Sequence, residues 1–170
     1  MTDLVRFPDW PERLAAFLES RRESPKKWGY NDCGMFCADA IEVMTGVDMA
    51  EELRSYDSPC GALKALVAYL EHRGSPLPRW REQPDSLLCE VIRLRFQVFG
   101  CPPIQPCMAQ RGDAVLLNVE GLLQETLPGA ESLNWTRSLG IMGMNGFPVT
   151  AGLAGTVELP SERIVMAWRI

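Results

Sequence analysis

Thiol chemistry in this chain would begin at Asp32-Cys33-Gly34. A cysteine directly after a helix-capping aspartate sits beside unpaired backbone N–H groups and the positive end of the helix dipole, which favour a thiolate. The same N–H groups could hold an oxyanion. A nucleophilic thiol also needs a base within hydrogen-bond reach, and the chain has a single histidine, His72. His72 falls near the C-terminal end of a helix expected over 59–72, where it reads as a helix-end cation or hydrogen-bond donor. Asp32 reads as a cap and not as a proton-transfer group. Asp39, with no partner visible, reads as exposed.

The other cysteines suggest no second centre. Cys33, Cys37, Cys60, Cys89, Cys101 and Cys107 are irregularly spaced and include no C-x-x-C pair, so the zinc-knuckle and thioredoxin signatures are missing. Cys101 and Cys107 flank the proline-rich CPPIQPC. A metal or iron–sulfur site there would have to recruit Cys89 and Cys60 from segments without ligand spacing. Structural thiols are the plainer reading, with no cofactor and no metal expected. No P-loop, dinucleotide fingerprint or metalloprotease helix occurs.

A net charge of −5 argues against nucleic acid as the main partner, since phosphate binding calls for clustered Lys and Arg. Arg21, Arg22, Lys26 and Lys27 do cluster, but with Glu19 and Glu23 among them they read as a solvated helix end. No apolar run approaches the ~18 residues of a membrane span. Residues 1–7 include Asp3 and lack the apolar region of a signal peptide. The expectation is a protein kept in the cytoplasm unless it leaves within a larger particle, so disulfides are not expected.

The first half has helical periodicity. Asp9 is the expected cap of a helix whose face is Trp10, Leu14, Phe17 and Leu18. Asp32 is the expected cap of a second, ending at Gly46, with the stripe Cys33, Cys37, Ala40, Ile41 and Met44. Ser58-Pro59 opens a third, with Leu63, Leu66, Val67 and Leu70 on its face and Gly74 at its end. A fourth, over 85–98, carries Leu87, Val91, Leu94 and Val98. After CPPIQPC come short apolar runs between glycine turns, with strands expected at 114–117, 139–144, 156–159 and 164–169. Helices first and strands later indicate an α+β domain over 1–170, its early helices packed on a sheet. Trp80 and Trp135 fall in loops and are candidate interface anchors.

These segments together resemble the NlpC-like cysteine peptidases of the papain-fold superfamily. Asp32-Cys33-Gly34, within KWGYNDCGMFCADA at 27–40, is similar to that family's Asp-Cys-Ser-Gly nucleophile motif. RGDAVLL at 111–117 is similar to its Gly-Asp entry into the first core strand, and LGIMGMNG at 139–146 to the strand written His-Val-Gly-Ile. The match extends to a branch encoded among phage tail-assembly genes. Trp28-Gly29, Asp32-Cys33, Thr45-Gly46, Ala62-Leu63, Arg111-Gly112-Asp113 and Ala167-Trp168-Arg169 stand here in that branch's order. The resemblance covers most of 27–170, with an apparent insertion about 75–105.

The resemblance implies a papain-like NlpC-type fold, N-terminal helices on a C-terminal antiparallel sheet, with Cys33 at the nucleophile position. It also puts Ser138 where the base histidine should stand. The function implied is that of a catalytically silent domain, a structural part of a bacteriophage tail tip or baseplate. Its partners would be other tail-tip or hub proteins, with no nucleic acid and no membrane span, in a virion assembled in the host cytoplasm. The alternative is a cell-wall endopeptidase or amidase using Cys33 with a base from an unusual position or a neighbouring subunit. A third is a domain whose cysteines hold a metal or cluster.

Overall fold

The computed structural model describes residues 4–78, 84–122 and 135–170. Helix α1, Trp10–Arg21, begins with Pro11 in its first turn and buries Leu14 and Phe17. Asp9 does not cap it. The Asp9 carboxylate makes no cap hydrogen bond and pairs with Arg13 instead, 2.8 Å away, so the i,i+4 ion pair takes the group that the cap would have used.

Helix α2, Cys33–Thr45, is the central element. Met35, Phe36, Cys37, Ala38, Ala40, Ile41 and Met44 are all buried, more than one stripe can hold. A helix apolar nearly all round is one covered on several sides. Phe36 meets Phe17 of α1, with ring centroids 5.4 Å apart. Cys37, Ala40 and Ile41 join the main core with the sheet, and Met35 and Ala38 close on Ala50. Gly46 ends the helix in the left-handed region at φ 76°, its N–H returning to the Glu42 carbonyl. Asp39 is not an isolated exposed acid: it is 16% exposed and pairs with Arg21 at 2.9 Å and Arg54 at 2.6 Å. Arg21 is correspondingly withdrawn from the solvated cluster in which its neighbours place it.

Helix α3, Pro59–His72, is capped by the Ser58 side chain, which accepts from the Gly61 N–H. It buries Ala62, Leu66, Tyr69 and Leu70. Helix α4, Pro84–Val98, presents a different face from the one its leucines and valines suggest. Leu87, Leu88, Val91, Ile92, Arg95 and Phe96 are buried, whereas Val98 is 38% exposed. The shift follows from Arg95, whose guanidinium donates to the Met49 carbonyl and pairs with Glu52 at 3.2 Å; a satisfied arginine can occupy an apolar stripe that a pattern of aliphatics does not reveal. Although it lies in the apparent insertion, α4 builds part of the main core.

The sheet has six antiparallel strands in the order β1-β6-β2-β3-β4-β5, among the described residues. They are β1 Pro103–Ile104, β2 Ala114–Asn118, β3 Arg137–Met142, β4 Pro148–Ala151, β5 Thr156–Glu158 and β6 Ile164–Trp168. The molecule is therefore α+β. Strands β1 and β4 are additional to the four expected, and β3 stops at Met142, before Gly143 turns the chain. Alternation along β2 serves two sides: Ala114 and Leu116 face the helices, while Val115 and Leu117 face a second cluster with Met142, Leu159 and Ala167.

The motif residues of the second half close the chain's ends together. Asp113, fully buried, pairs with Arg6 at 3.0 Å and Arg169 at 3.3 Å. Trp168 stacks on Phe96 of α4 with centroids 4.6 Å apart. No helix among the described residues is long and apolar enough to cross a membrane.

Candidate functional site

The site is built around the start of α2. Asp32, 2% exposed, has every acceptor direction used. One carboxylate oxygen accepts from the Gly34 and Met35 N–H groups at 3.0 and 3.1 Å. The other accepts from the Gly29 N–H at 2.7 Å and the Tyr56 hydroxyl at 2.9 Å. Gly29 has φ +70°, and a Cβ there would collide with the Tyr56 carbonyl oxygen. The Trp28-Gly29 pair is thus the turn that delivers a backbone donor to Asp32. Burial, with the Asp32 charge and its hydrogen bond, pushes the Tyr56 hydroxyl well above its ordinary pKa, so the phenol stays a donor. Asp32 caps the helix and organises the loop before it.

Cys33 follows this cap and keeps part of its surface exposed. Its sulfur is nevertheless surrounded closely enough that desolvation pushes the thiol pKa up, and the Asp32 charge pushes in the same direction. The Leu139 backbone, Lys26 and the Ser138 hydroxyl act the other way without reversing the shift. The helix N-terminus therefore does not deliver a thiolate, because burial and the adjacent carboxylate outweigh it.

Strand β3 brings Ser138 to this sulfur. Ser138 is 4% exposed and its hydroxyl lies 2.8 Å from the Thr150 hydroxyl on β4. Thr150, fully buried, donates to the Leu139 carbonyl at 2.8 Å. With that proton committed, Thr150 accepts from Ser138. The chain serine, threonine, carbonyl commits both hydroxyl protons. One turn on, Cys37 donates its S–H to the Gly140 carbonyl at 3.3 Å. Strands β3 and β4 pair at Ile141↔Val149 and Met142↔Pro148; toward Ser138, these side chains bind the strand where the ladder has ended.

His72 is exposed on the last turn of α3 and is not among the groups acting on Cys33. His72 lies in the last turn of its helix, as read from the sequence, and Ser138 is among the groups acting on Cys33. Tyr56 and Thr150 were not anticipated. Tyr56 is 24 residues from Asp32 in an irregular segment, with no periodic signal. Thr150 lies on a four-residue strand whose proline and flanking glycines disguise it.

A cavity of about 370 Å³ adjoins Cys33, walled by α2, α3, α4 and β3. Ile41, Leu66, Leu88, Ile92 and Leu139 make it apolar; Lys26, Trp135 and Arg137 also line it. Trp135, two residues before β3, is partly buried and packs on the main core. Trp80, the other proposed anchor, lies outside the described residues. Cys101 is buried while Cys107 and Cys60 are exposed. Among the described residues no three His, Cys, Asp or Glu are grouped to hold a metal ion.

No curated protein and no solved structure matches the chain. A family model matches residues 5–170, from just before the α1 turn to the Arg169 clamp. The chain belongs to the family described as a domain of unknown function, DUF6950.

Proposed function

We propose that this domain is a catalytically silent hydrolase scaffold of papain-like, NlpC type, serving as a structural component of a phage tail tip or baseplate. One observation carries the silent half: Cys33 and Ser138 line one cavity and the Ser138 hydroxyl acts on the Cys33 thiol, where the resemblance would put a histidine. Serine cannot take a proton near neutral pH, and the chain's single histidine stands exposed on α3. Thiolate attack needs somewhere for the proton to go, and the leaving amine needs one back. General acid–base help is typically worth about 10²–10⁴ in rate, and here the nucleophile is unactivated as well. A cysteine-headed core helix packed on an antiparallel sheet supports the scaffold assignment. The ordered motifs from Trp28 to Arg169 support the tail assignment.

Two experiments test the two halves. Digestion of purified peptidoglycan, with Cys33→Ser as the control, tests silence; Cys33-dependent release of fragments would favour an endopeptidase or amidase instead. Mass spectrometry of purified virions from a phage encoding this chain tests the tail role. The chain should be found among the tail proteins, and virions lacking it would overturn that role.

A further inference from the structure

We propose that the cavity beside Cys33 binds an uncharged, lipid-like molecule: an alkyl chain of about ten carbons ending in one acceptor oxygen, as in a fatty alcohol or ketone. This goes beyond the structural role and does not depend on whether Cys33 is catalytic. Size comes first. At roughly 30 Å³ of liquid volume per water-sized group, a cavity of about 370 Å³ takes about a dozen non-hydrogen atoms. That is at the small end of the range for ligand pockets. The body of the cavity is aliphatic and aromatic, with Ile41, Leu66, Ile92 and Phe96 on its walls. Such walls give water few of the polar partners it needs, so most of the occupant is apolar.

The polar groups specify the head. The charged residues that line the cavity, among those described, are Lys26, Asp32, Arg95 and Arg137, and each has a partner within the protein. Asp32 accepts four hydrogen bonds, and Arg95 is engaged with Met49 and Glu52. Arg137 donates to the Thr136 carbonyl and hydroxyl. Lys26 lies over the Trp28 ring, 4.4 Å from its centroid. A charged head would therefore give up its hydration with no unpaired opposite charge to replace it. One polar atom of the wall is unmet. Trp135 lines the cavity, and its Nε1–H is buried with no acceptor. Among the described residues it is the one lining side chain with a buried, unpartnered polar atom. Such a donor is rare in a native protein and calls for an acceptor to be supplied. A hydroxyl or carbonyl oxygen supplies it without bringing a charge.

The test is isothermal titration calorimetry of the full chain with 2-decanone, against decanoate and decyltrimethylammonium, both held below their micelle concentrations. The ketone should saturate one site and bind at least roughly tenfold more tightly than either charged chain. Trp135→Phe keeps a ring on the wall and removes the donor; it should weaken binding about fivefold, the worth of one hydrogen bond. Ile92→Trp, which fills the cavity, should abolish binding with an unchanged circular dichroism spectrum. Should Ile92→Trp fail to fold, wild-type protection decides. Saturating ketone should slow iodoacetamide modification of Cys33 several-fold and leave the exposed Cys60 and Cys107 unaffected. No saturation, equal binding of either charged chain, full affinity in Trp135→Phe, or an unprotected Cys33 would overturn the proposal.

Discussion

The hydroxyls of Ser138 and Thr150 lie 2.8 Å apart, both buried, on neighbouring strands. They bridge the point where the β3–β4 ladder has ended. Thr150→Val keeps the shape of the side chain and removes one hydroxyl. It strands the Leu139 carbonyl and the Ser138 proton, so it should lower stability by about 1–3 kcal/mol, the usual cost of a buried polar group left unpaired. Urea unfolding measures this; an unchanged midpoint would show that the hydroxyl chain does not hold the strands.

Tyr56→Phe removes one of the four donors on Asp32 without disturbing the helix cap itself. A hydrogen bond to a charged, buried acceptor contributes about 1.5–3 kcal/mol, and the loss should fall in that range. Asp32→Ala takes away all four bonds at once and should exceed the roughly 0.5–2 kcal/mol of a simple N-cap. Comparing the two melting temperatures separates the cap from the loop anchor: equal losses would mean that Asp32 is only a cap.

Cys33 should behave as a sluggish thiol. Its pKa is raised by burial and by Asp32, so its iodoacetamide reaction at pH 7 should be slower than that of exposed Cys60 and Cys107. Its rate should keep climbing above about pH 8.5, where an ordinary thiol has half ionised. Mass spectrometry of the modified peptides resolves the three sites. A Cys33 that reacts fastest at pH 7 would mean that the helix end prevails over desolvation.

Alkaline conditions should destabilise the fold early. Cys37 is pushed up by burial, Cys101 to about 11 by burial, and Tyr56 by burial and Asp32. A raised folded pKa means that the unfolded chain ionises first. The stability these groups contribute is full below their unfolded values, about 8.5 for the thiols and 10 for the phenol. It is then lost as pH rises through the folded values. The melting temperature should therefore be flat from pH 7 to about 8.5 and fall from there upward. Cys37→Ala should soften the early part of the fall.

Where the sequence was readable, local physics decided the matter. Asp32 before Cys33 is a cap because its side chain reaches the free N–H groups of its own helix, and Gly46 ends that helix because it accepts a positive φ. Both are interactions within a few residues. Asp9 satisfied the same local rule and lost to Arg13, an equally local competitor. What the sequence concealed depends on distant partners. Asp39 is withdrawn by Arg21 and Arg54, and Arg95 turns the face of α4 by reaching Met49, 46 residues away. The site divides in the same way. The cap at the head of α2 could be read from adjacent residues, whereas Tyr56, Thr150 and the cavity arise from packing between segments that carry no shared pattern.

The central claim is that a cysteine hydrolase scaffold persists here without its base. Incubation of purified peptidoglycan with the full chain, followed by chromatography of soluble fragments, tests it most directly. The account predicts no release above that given by Cys33→Ser, at any pH from 5 to 9. Fragments released by the wild type and lost in Cys33→Ser would contradict it.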